Sequence, residues 1–442
     1  MVKEEISDLP AGEGVTFWFK EEIRTYGLEV FTPNLTADLS GFVAIGLVSL
    51  TTYFIALRWP DISKIIFTAL IVRILIMLIG YYFINLPDAH ADAIGFEWGA
   101  WRYAQDGFFN LFEKFTGPNS FFYSWLMAIP YSLFGRSMLI IQSIGLLFGV
   151  GSVFLGWLIA KKIWDDYSAT KIGWALALFP SLVLYSIIPL KEVYCSFFLL
   201  VAVIGIINWV ETKNLNFAIL AIGGFVVAGF FHGPLFVGPI IFSIIVFISV
   251  LIESIKSLRT FHINLKNLIV IILIFFVLSA YLSNEIYLPY IGKFETSINV
   301  NSWMETISWR MVGEASYPVW LEVENPNEFF YKSFFRVLYF LFSPFPWDVK
   351  GLGHLIGMLD AFLYLFLFYF IFQNRKVIWK NPALRIILLI FTAYLFMYAI
   401  GVSNFGAGIR HRSKFVIEII LLAGPFIPKF IFSNKNKIKK IP

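Results

Sequence analysis

Residues 137–160 read SMLIIQSIGLLFGVGSVFLGWLIA, and no charged side chain interrupts them. A helix needs about 20 apolar residues to cross the hydrocarbon core of a bilayer, so this stretch predicts a transmembrane helix. Similar apolar runs recur along the chain and predict about eleven spans, an all-α polytopic helix bundle. The predicted spans are 41–58, 63–85, 137–160, 170–189, 193–210, 215–231, 235–253, 266–284, 354–373, 383–401 and 413–431.

Two further apolar runs, 119–134 and 329–343, are shorter than a span and contain or adjoin prolines. Runs of this length are typical of juxtamembrane or re-entrant helices. Counting either of them as a span would reverse the sidedness of every later loop.

The composition supports a membrane protein. Of 442 residues, 59% are hydrophobic and 14% are charged, whereas a soluble domain is about 25% charged. Soluble globular, disordered and coiled-coil classes are therefore excluded. The single cysteine, Cys195, excludes an internal disulfide framework and a C-x-x-C site.

The charges divide between the two sets of loops. One set contains 18 Lys and Arg against five acids, and the other contains 15 Lys and Arg against 22 acids. Because cytoplasmic loops carry the excess of Lys and Arg, we expect the first set to be cytoplasmic and the net charge of +5 to reflect topology. The expected organisation is a polar non-cytoplasmic segment (1–40), a transmembrane catalytic domain (41–432) with outer loops 86–136 and 285–353, and a basic cytoplasmic tail (433–442).

The first outer loop contains the candidate catalytic residues, Asp88 and Asp92, together with His90 and Glu97 as candidate substrate ligands. If the segment is helical, Asp88 and Asp92 share one face and can act on one substrate, one of them as the general base for an acceptor hydroxyl. Two alternatives remain open. The pair and His90 could ligate a divalent cation such as Mg²⁺ or Mn²⁺, or the acids could simply mark a solvated helix N-terminus.

The second candidate segment, on the same predicted side, contains Arg410, His411 and Arg412 just before the last span, with Lys414 at its beginning. Clustered cations, arginines above all, bind phosphate or pyrophosphate. The segment therefore predicts a site for a substrate with a phosphate at headgroup depth. The alternative is that these side chains reach towards lipid phosphates.

Weaker candidates lie between these two segments. Lys191 and Glu192 interrupt an apolar run and could orient a sugar, although a plain polar loop is an equal interpretation, and Arg310 is a candidate second phosphate contact. Arg73 lies in the middle of a predicted span and needs a partner, for which Asp360 or Glu418 are the intramembrane acids. Three lone histidines have no ligand spacing and are interpreted as core or interface residues: His232, His262 and His354.

Several common motifs are missing from the sequence. It contains no G-x-x-x-x-G-K-[ST] loop, no G-x-G-x-x-G fingerprint, no H-E-x-x-H and no G-x-S-x-G. ATP-driven transport, nicotinamide chemistry, zinc proteolysis and α/β-hydrolase chemistry therefore lose their usual sequence support.

The order of these motifs resembles the GT-C superfamily of polytopic, polyprenyl-phosphate-sugar-dependent glycosyltransferases, of the kind found in bacterial surface-polysaccharide gene clusters. The matching features are the acidic loop from Pro87-Asp88 to Gly107, the run from Tyr123 to Gly135 that ends in Phe-Gly, Ala160 to Trp164, Leu178-Phe-Pro180 followed by Lys191-Glu192, and Arg410-His411-Arg412. Two departures are the spacing of the loop acids as Asp-Ala-His-Ala-Asp and the extra predicted span 41–58 before that loop.

The resemblance implies transfer of a sugar from a polyprenyl phosphate or pyrophosphate to a saccharide, lipid or protein acceptor, at the outer face of a bacterial plasma membrane. It further implies that Asp88 or Asp92 is the base and that the late basic run holds the lipid phosphate. No nucleic acid partner is expected. Two other hypotheses remain, an O-antigen-type polysaccharide polymerase or ligase, in which arginines dominate, and a flippase or transporter of lipid-linked sugars, which would need charged residues near the middle of the bilayer.

Overall fold

A computed structural model provides the fold. It describes residues 31–90, 92–115, 117, 121–258, 304, 307, 311, 315–350 and 352–428. The predicted span 266–284, the basic tail 433–442 and the candidate Arg310 lie outside the described residues.

The described chain is helical, and its one β contact is an isolated bridge between Ser316 and Asn404. The helices as far as residue 258 are α1 (Leu35–Arg58), α2 (Ser63–Tyr82), α3 (Asp92–Ala104), α4 (Asn110–Glu113), α5 (Phe122–Phe134), α6 (Met138–Ile163), α7 (Asp166–Leu178), α8 (Pro180–Leu184), α9 (Glu192–Thr212), α10 (Leu215–Phe231) and α11 (Val237–Leu258). Those after it are α12 (Phe329–Phe342), α13 (Leu352–Gln373), α14 (Arg375–Lys380), α15 (Pro382–Gly401), α16 (Phe405–Arg412) and α17 (Val416–Ala423).

Seven helical segments in the described part of the chain are long and apolar enough to cross a bilayer. With short flanking turns included, they are Leu35–Arg58, Pro60–Tyr82, Met138–Ile163, Glu192–Thr212, Gly233–Lys256, His354–Gln373 and Pro382–Gly401. The prediction of an all-α membrane bundle is confirmed at this level. A shorter apolar helix, Leu215–Phe231, lies at the predicted span 215–231.

The count of eleven spans is not confirmed, because two of the predicted spans are interrupted. The run 170–189 divides into α7 and α8 at Phe179, whose ψ of 122° is extended. Proline disfavours a helical conformation at the residue before it, and Pro180 therefore ends α7. The run 413–431 contains a 3₁₀ turn at Ser413–Phe415 and the eight-residue α17, which is about 12 Å long.

The two short apolar runs form helices that are shorter than a bilayer is thick. α5 has 13 residues and α12 has 14, so each is about 20 Å long. α12 has two unlike faces, since Phe334 is exposed whereas Arg336 and Phe340 are buried. Arg336 donates to the carbonyl oxygens of Leu321 and Val402, 2.8 Å and 2.7 Å away, which attaches α12 to the end of α15.

Close backbone contact joins α9 to α10. A Cβ atom on Gly205 would lie 2.5 Å from the backbone nitrogen of Ala221, and one on Gly224 would lie 2.7 Å from that of Ala202. Small residues let transmembrane helices approach each other, where van der Waals contact replaces the hydrophobic driving force of water. The glycines therefore fix the hairpin that presents the start of α9 and the end of α10 at the same end of the bundle.

Candidate functional site

The first loop acids lie on different backbone conformations. Asp88 has a φ of 56°, in the left-handed region, and α3 begins only at Asp92. The continuous helix that would place both carboxylates on one face is therefore absent from this loop, and each aspartate has its own partner. Tyr185 donates a hydrogen bond of 2.5 Å to Oδ2 of Asp88. Between the two aspartates, the backbone carbonyl of His90 accepts a hydrogen bond from the backbone N–H of Ala93.

Arg410, near the end of α16, joins the first loop to the start of α9. Its Nη1 lies 2.5 Å from Oδ2 of Asp92, and its Nε lies 3.4 Å from Oε1 of Glu192. Glu192 also accepts a bond of 3.0 Å from Nζ of Lys414, and both of those side chains are buried. The structure thus brings together three segments that are remote in sequence.

The network continues into a histidine pair. Lys414 donates a hydrogen bond of 2.8 Å to Nδ1 of His411, whose ring centroid lies 5.0 Å from that of His232. Nδ1 of His232 is in turn 2.6 Å from the hydroxyl oxygen of Tyr398. His232, which the sequence reasoning treated as a core or interface residue, follows directly after α10 and contacts this network.

Lys191 is the cation of this site without a carboxylate partner in the described residues. Its Nζ lies 5.1 Å from the centroid of the Phe96 ring, and no described carboxylate oxygen lies within 4.0 Å of it. The ammonium is therefore available to an anionic ligand. We call the following seven residues the polar cluster: Asp88, Asp92, Lys191, Glu192, Arg410, His411 and Lys414.

The pKa values of the two loop aspartates move in opposite directions. Asp88 is exposed at the surface, but the protein atoms around its carboxylate reduce the hydration of the charged form. This desolvation raises its pKa, although the hydrogen bond from Tyr185 and the charge of Arg410 oppose the shift. At Asp92 the charge of Arg410 is the largest effect and lowers the pKa. Desolvation also lowers the pKa of Lys191. Of the two aspartates, Asp88 is thus the one whose carboxylate takes up a proton more readily, which is the property that a general base requires.

Glu97 lies apart from the polar cluster. Its carboxylate is buried in α3, forms an ion pair of 2.8 Å with Nη2 of Arg136 and accepts a bond of 2.9 Å from the hydroxyl of Tyr131. Both oxygens therefore tie α3 to α5 and to the start of α6. This is a structural role, in place of the substrate contact expected from the sequence.

Arg412 also lies apart from the polar cluster, on the opposite side of α16. The side chain is buried, pairs with Asp360 at 3.0 Å and donates to the carbonyl oxygens of Leu341 and Ser343. These bonds join α16 to α12 and α13. The expected role of Arg412 as a phosphate ligand is not supported by this placement, because its guanidinium is already surrounded by protein acceptors.

The expectation for Arg73 is wrong. The residue pairs with neither Asp360 nor Glu418; it donates to Oγ of Ser186 at 3.0 Å and to the carbonyl oxygen of Ala177 at 2.8 Å. The helix break at Pro180 explains this choice, because it frees carbonyl groups at the end of α7 that a continuous helix would have used.

In the described residues, no group of three or more His, Cys, Asp and Glu side chains is placed to hold a metal ion. The carboxylates of Asp88 and Asp92 face Tyr185 and Arg410 respectively. This arrangement is not the oxygen-rich set that Mg²⁺ or Mn²⁺ prefers.

The three comparisons with known proteins give no relative: no protein-family model, no curated protein and no solved structure matches the chain.

All seven residues of the polar cluster stand out in the sequence, whereas the neutral residues that contact the cluster do not. Tyr185, His232 and Tyr398 lie within apolar runs or at their ends, in places where sequence alone gives a tyrosine or histidine no special meaning. A weak signal existed for His232, because it ends a predicted span on the same side as the first acidic loop.

Proposed function

We propose that the chain is an integral membrane glycosyltransferase of the GT-C type, which transfers a sugar from a polyprenyl phosphate or pyrophosphate to an acceptor in cell-envelope polysaccharide or glycolipid assembly. The observation that carries this proposal is the polar cluster. In it, carboxylates and cations from the first loop, the start of α9 and the end of α16 meet at one end of an apolar helix bundle. An amphipathic lipid phosphate would present its reacting end at that depth.

The charge balance of the polar cluster suits an anionic donor. Three carboxylates face three cations, namely Lys191, Arg410 and Lys414, so the ionised cluster is neutral before His411 is counted. Protonation of Asp88, favoured by its raised pKa, leaves one excess positive charge. A lipid phosphate that binds next to Lys191 and Arg410 would compensate for the positive charge that the polar cluster gains when Asp88 takes up the acceptor's proton.

The proposed division of roles follows from the partners of each side chain. Asp92 and Glu192 hold Arg410 and Lys414, and are positioning residues. Asp88 is the base, because its carboxylate accepts a hydrogen bond from a neutral hydroxyl, whereas the carboxylate of Asp92 is paired with a cation. In the transfer step the acceptor oxygen bonds to the anomeric carbon and its proton passes to Asp88. The bond from that carbon to the phosphate oxygen breaks, and Arg410 and Lys191 stabilise the charge of the leaving phosphate.

We place the polar cluster on the outer side of a bacterial plasma membrane, with the C-terminus in the cytoplasm. α9 begins at the polar cluster and ends beside a basic surface, where Lys162 pairs with Glu211 and Lys171 donates to the Pro425 carbonyl. Lys and Arg accumulate on the cytoplasmic side of membrane proteins. The end of α9 that lies near these lysines would therefore face the cytoplasm, and its start at the polar cluster would face outward.

The test is transfer of radiolabelled sugar from extracted polyprenyl-linked donors by the purified protein in liposomes. Asp88→Asn should lower turnover by about 100-fold or more, as expected for the loss of a general base. Arg410→Gln should weaken donor binding and turnover together. Asp106→Asn and Arg102→Gln are matched controls, since both residues are exposed, belong to the same loop and lie outside the polar cluster. They should leave turnover unchanged.

Three results would contradict parts of the proposal. If the wild type transfers no sugar from any donor but binds donors normally, the transferase is refuted and a flippase takes its place. If Arg410→Gln abolishes transfer while Asp88→Asn is tolerated, the polymerase or ligase is the better hypothesis. Loss of transfer in EDTA, restored by Mg²⁺ or Mn²⁺, would reassign the aspartates to a metal.

A further inference from the structure

Glu418 is a buried acid that the polar cluster does not use. It lies in α17, one helical turn after Lys414, and is 5% exposed. Neither of its carboxyl oxygens has a hydrogen-bond partner among the described residues. Ionisable groups inside a membrane bundle are costly and usually functional, so this side chain needs a physical explanation.

The side chain lines a cavity between α9, α10, α15 and α17. Its walls are apolar and aromatic apart from Glu418 and Tyr394, with Val203, Phe225 and Phe415 among the lining residues. The cavity volume is about 20 Å³, which is enough for a single water molecule. Such a water could bond both to Glu418 and to the hydroxyl oxygen of Tyr394, which itself donates to the Leu235 carbonyl at 2.8 Å.

No charged group of the described residues neutralises Glu418. Lys414, the nearest cation along the chain, is bonded to Glu192 and His411. On the packed helices, the titratable groups that face the carboxyl are the hydroxyls of Tyr394 on α15 and Tyr364 on α13, and a phenol supplies no positive charge to balance a carboxylate. An ionised carboxylate here would be buried without a partner, which costs far more than taking up a proton.

The size and walls of the cavity decide between ligands. A metal cation needs several oxygen ligands, and one carboxyl with one phenol oxygen does not supply them. An organic cation with an apolar body is larger than the space. A proton needs no coordination shell, and a single water can deliver it.

We propose that the Glu418 cavity is a proton-binding site inside the helix bundle, separate from the polar cluster and independent of the transferase. Binding converts the carboxylate and a hydronium ion into a carboxylic acid and water, and release reverses these steps.

Infrared difference spectroscopy of the full-length protein in lipid, wild type minus Glu418→Gln, tests this directly. We expect a carboxylic acid C=O band at neutral pH that the variant lacks. It should shift in D₂O and give way to carboxylate bands as the pH is raised. Asp360→Asn is the matched control, because Asp360 is equally buried but pairs with Arg412, so its difference spectrum should contain carboxylate bands alone. Carboxylate bands for Glu418 at neutral pH, or bands that respond to Na⁺, would overturn the proposal.

A second measurement needs no variant. Dicyclohexylcarbodiimide, an apolar reagent, adds to protonated carboxyl groups, and the modified residue is mapped by mass spectrometry. We expect modification of Glu418 that declines as the pH rises, and none of Asp360. Modification of Asp360 with Glu418 untouched would contradict the proposed site.

Discussion

The ion pair between Glu192 and Lys414 gives the sharpest test of the polar cluster. The two side chains are 1% and 0% exposed, and Oε1 lies 3.0 Å from Nζ. Removing one member of a buried pair leaves an uncompensated charge and costs about 3–5 kcal/mol. Glu192→Gln should be the costlier change, because it removes the carboxylate from both Lys414 and Arg410, whereas Lys414→Met leaves Glu192 with Arg410 at 3.4 Å.

The assay is a double-mutant cycle on the free energy of unfolding, measured by titration with a denaturing detergent in mixed micelles. The double variant should be much more stable than the sum of the single changes implies, with a coupling energy of at least about 2 kcal/mol. Lys162 and Glu211 form the control pair, at 2.8 Å but with side chains 39% and 50% exposed. Exposed pairs couple by about 1 kcal/mol or less. A coupling between Glu192 and Lys414 no larger than that of the control would refute the buried network.

Three further predictions follow from single residues. Gly205→Ala should destabilise the bundle by about 1–3 kcal/mol, because its Cβ would meet the backbone of α10, whereas Gly46→Ala, with open space around it, should be neutral or stabilising in the same unfolding assay. Transfer activity should fall on acidification at a pH above the usual aspartate range, since the base Asp88 has a raised pKa and must be ionised; a pH–rate profile that stays flat down to about pH 4 would contradict this. Because Arg410 lowers the pKa of Asp92, that carboxylate contributes stability above its unfolded pKa and loses it as the pH falls through its folded pKa, so the stability gap between wild type and Asp92→Asn should shrink in acid.

The membrane architecture was largely predictable, because apolar length is a local property of the sequence. The predicted spans over α1, α2, α6, α9 and α15 coincide with long helices. The exception at 170–189 could have been anticipated from Pro180, since a hydropathy sum treats proline as one more residue and ignores its effect on the backbone. The partner predicted for Arg73 is wrong for the same reason, because a broken helix supplies carbonyl acceptors that a continuous helix does not.

The candidate site was predictable only where charge marks it. Asp88, Asp92, Lys191, Glu192 and Arg410 interrupt apolar surroundings, and so the sequence identifies them. Which carboxylate pairs with which cation depends on contacts between residues that are hundreds of positions apart in the sequence, such as Asp92 and Arg410. No local pattern encodes such pairings, and the neutral partner Tyr185 carries no charge signal at all.

The basic run Arg410-His411-Arg412 shows how far helical geometry can separate similar residues. Successive residues of an α-helix are about 100° apart, so Arg410 and Arg412 point to nearly opposite sides, while Arg410 and Lys414 share a face. The observed partners follow this rule. Arg410 and Lys414 both contact Glu192, whereas Arg412 is buried against Asp360 and the carbonyls beside α12. The prediction that the whole run binds one phosphate does not take that geometry into account. Substitution of Arg412 should therefore act through folding, and substitution of Arg410 through the donor.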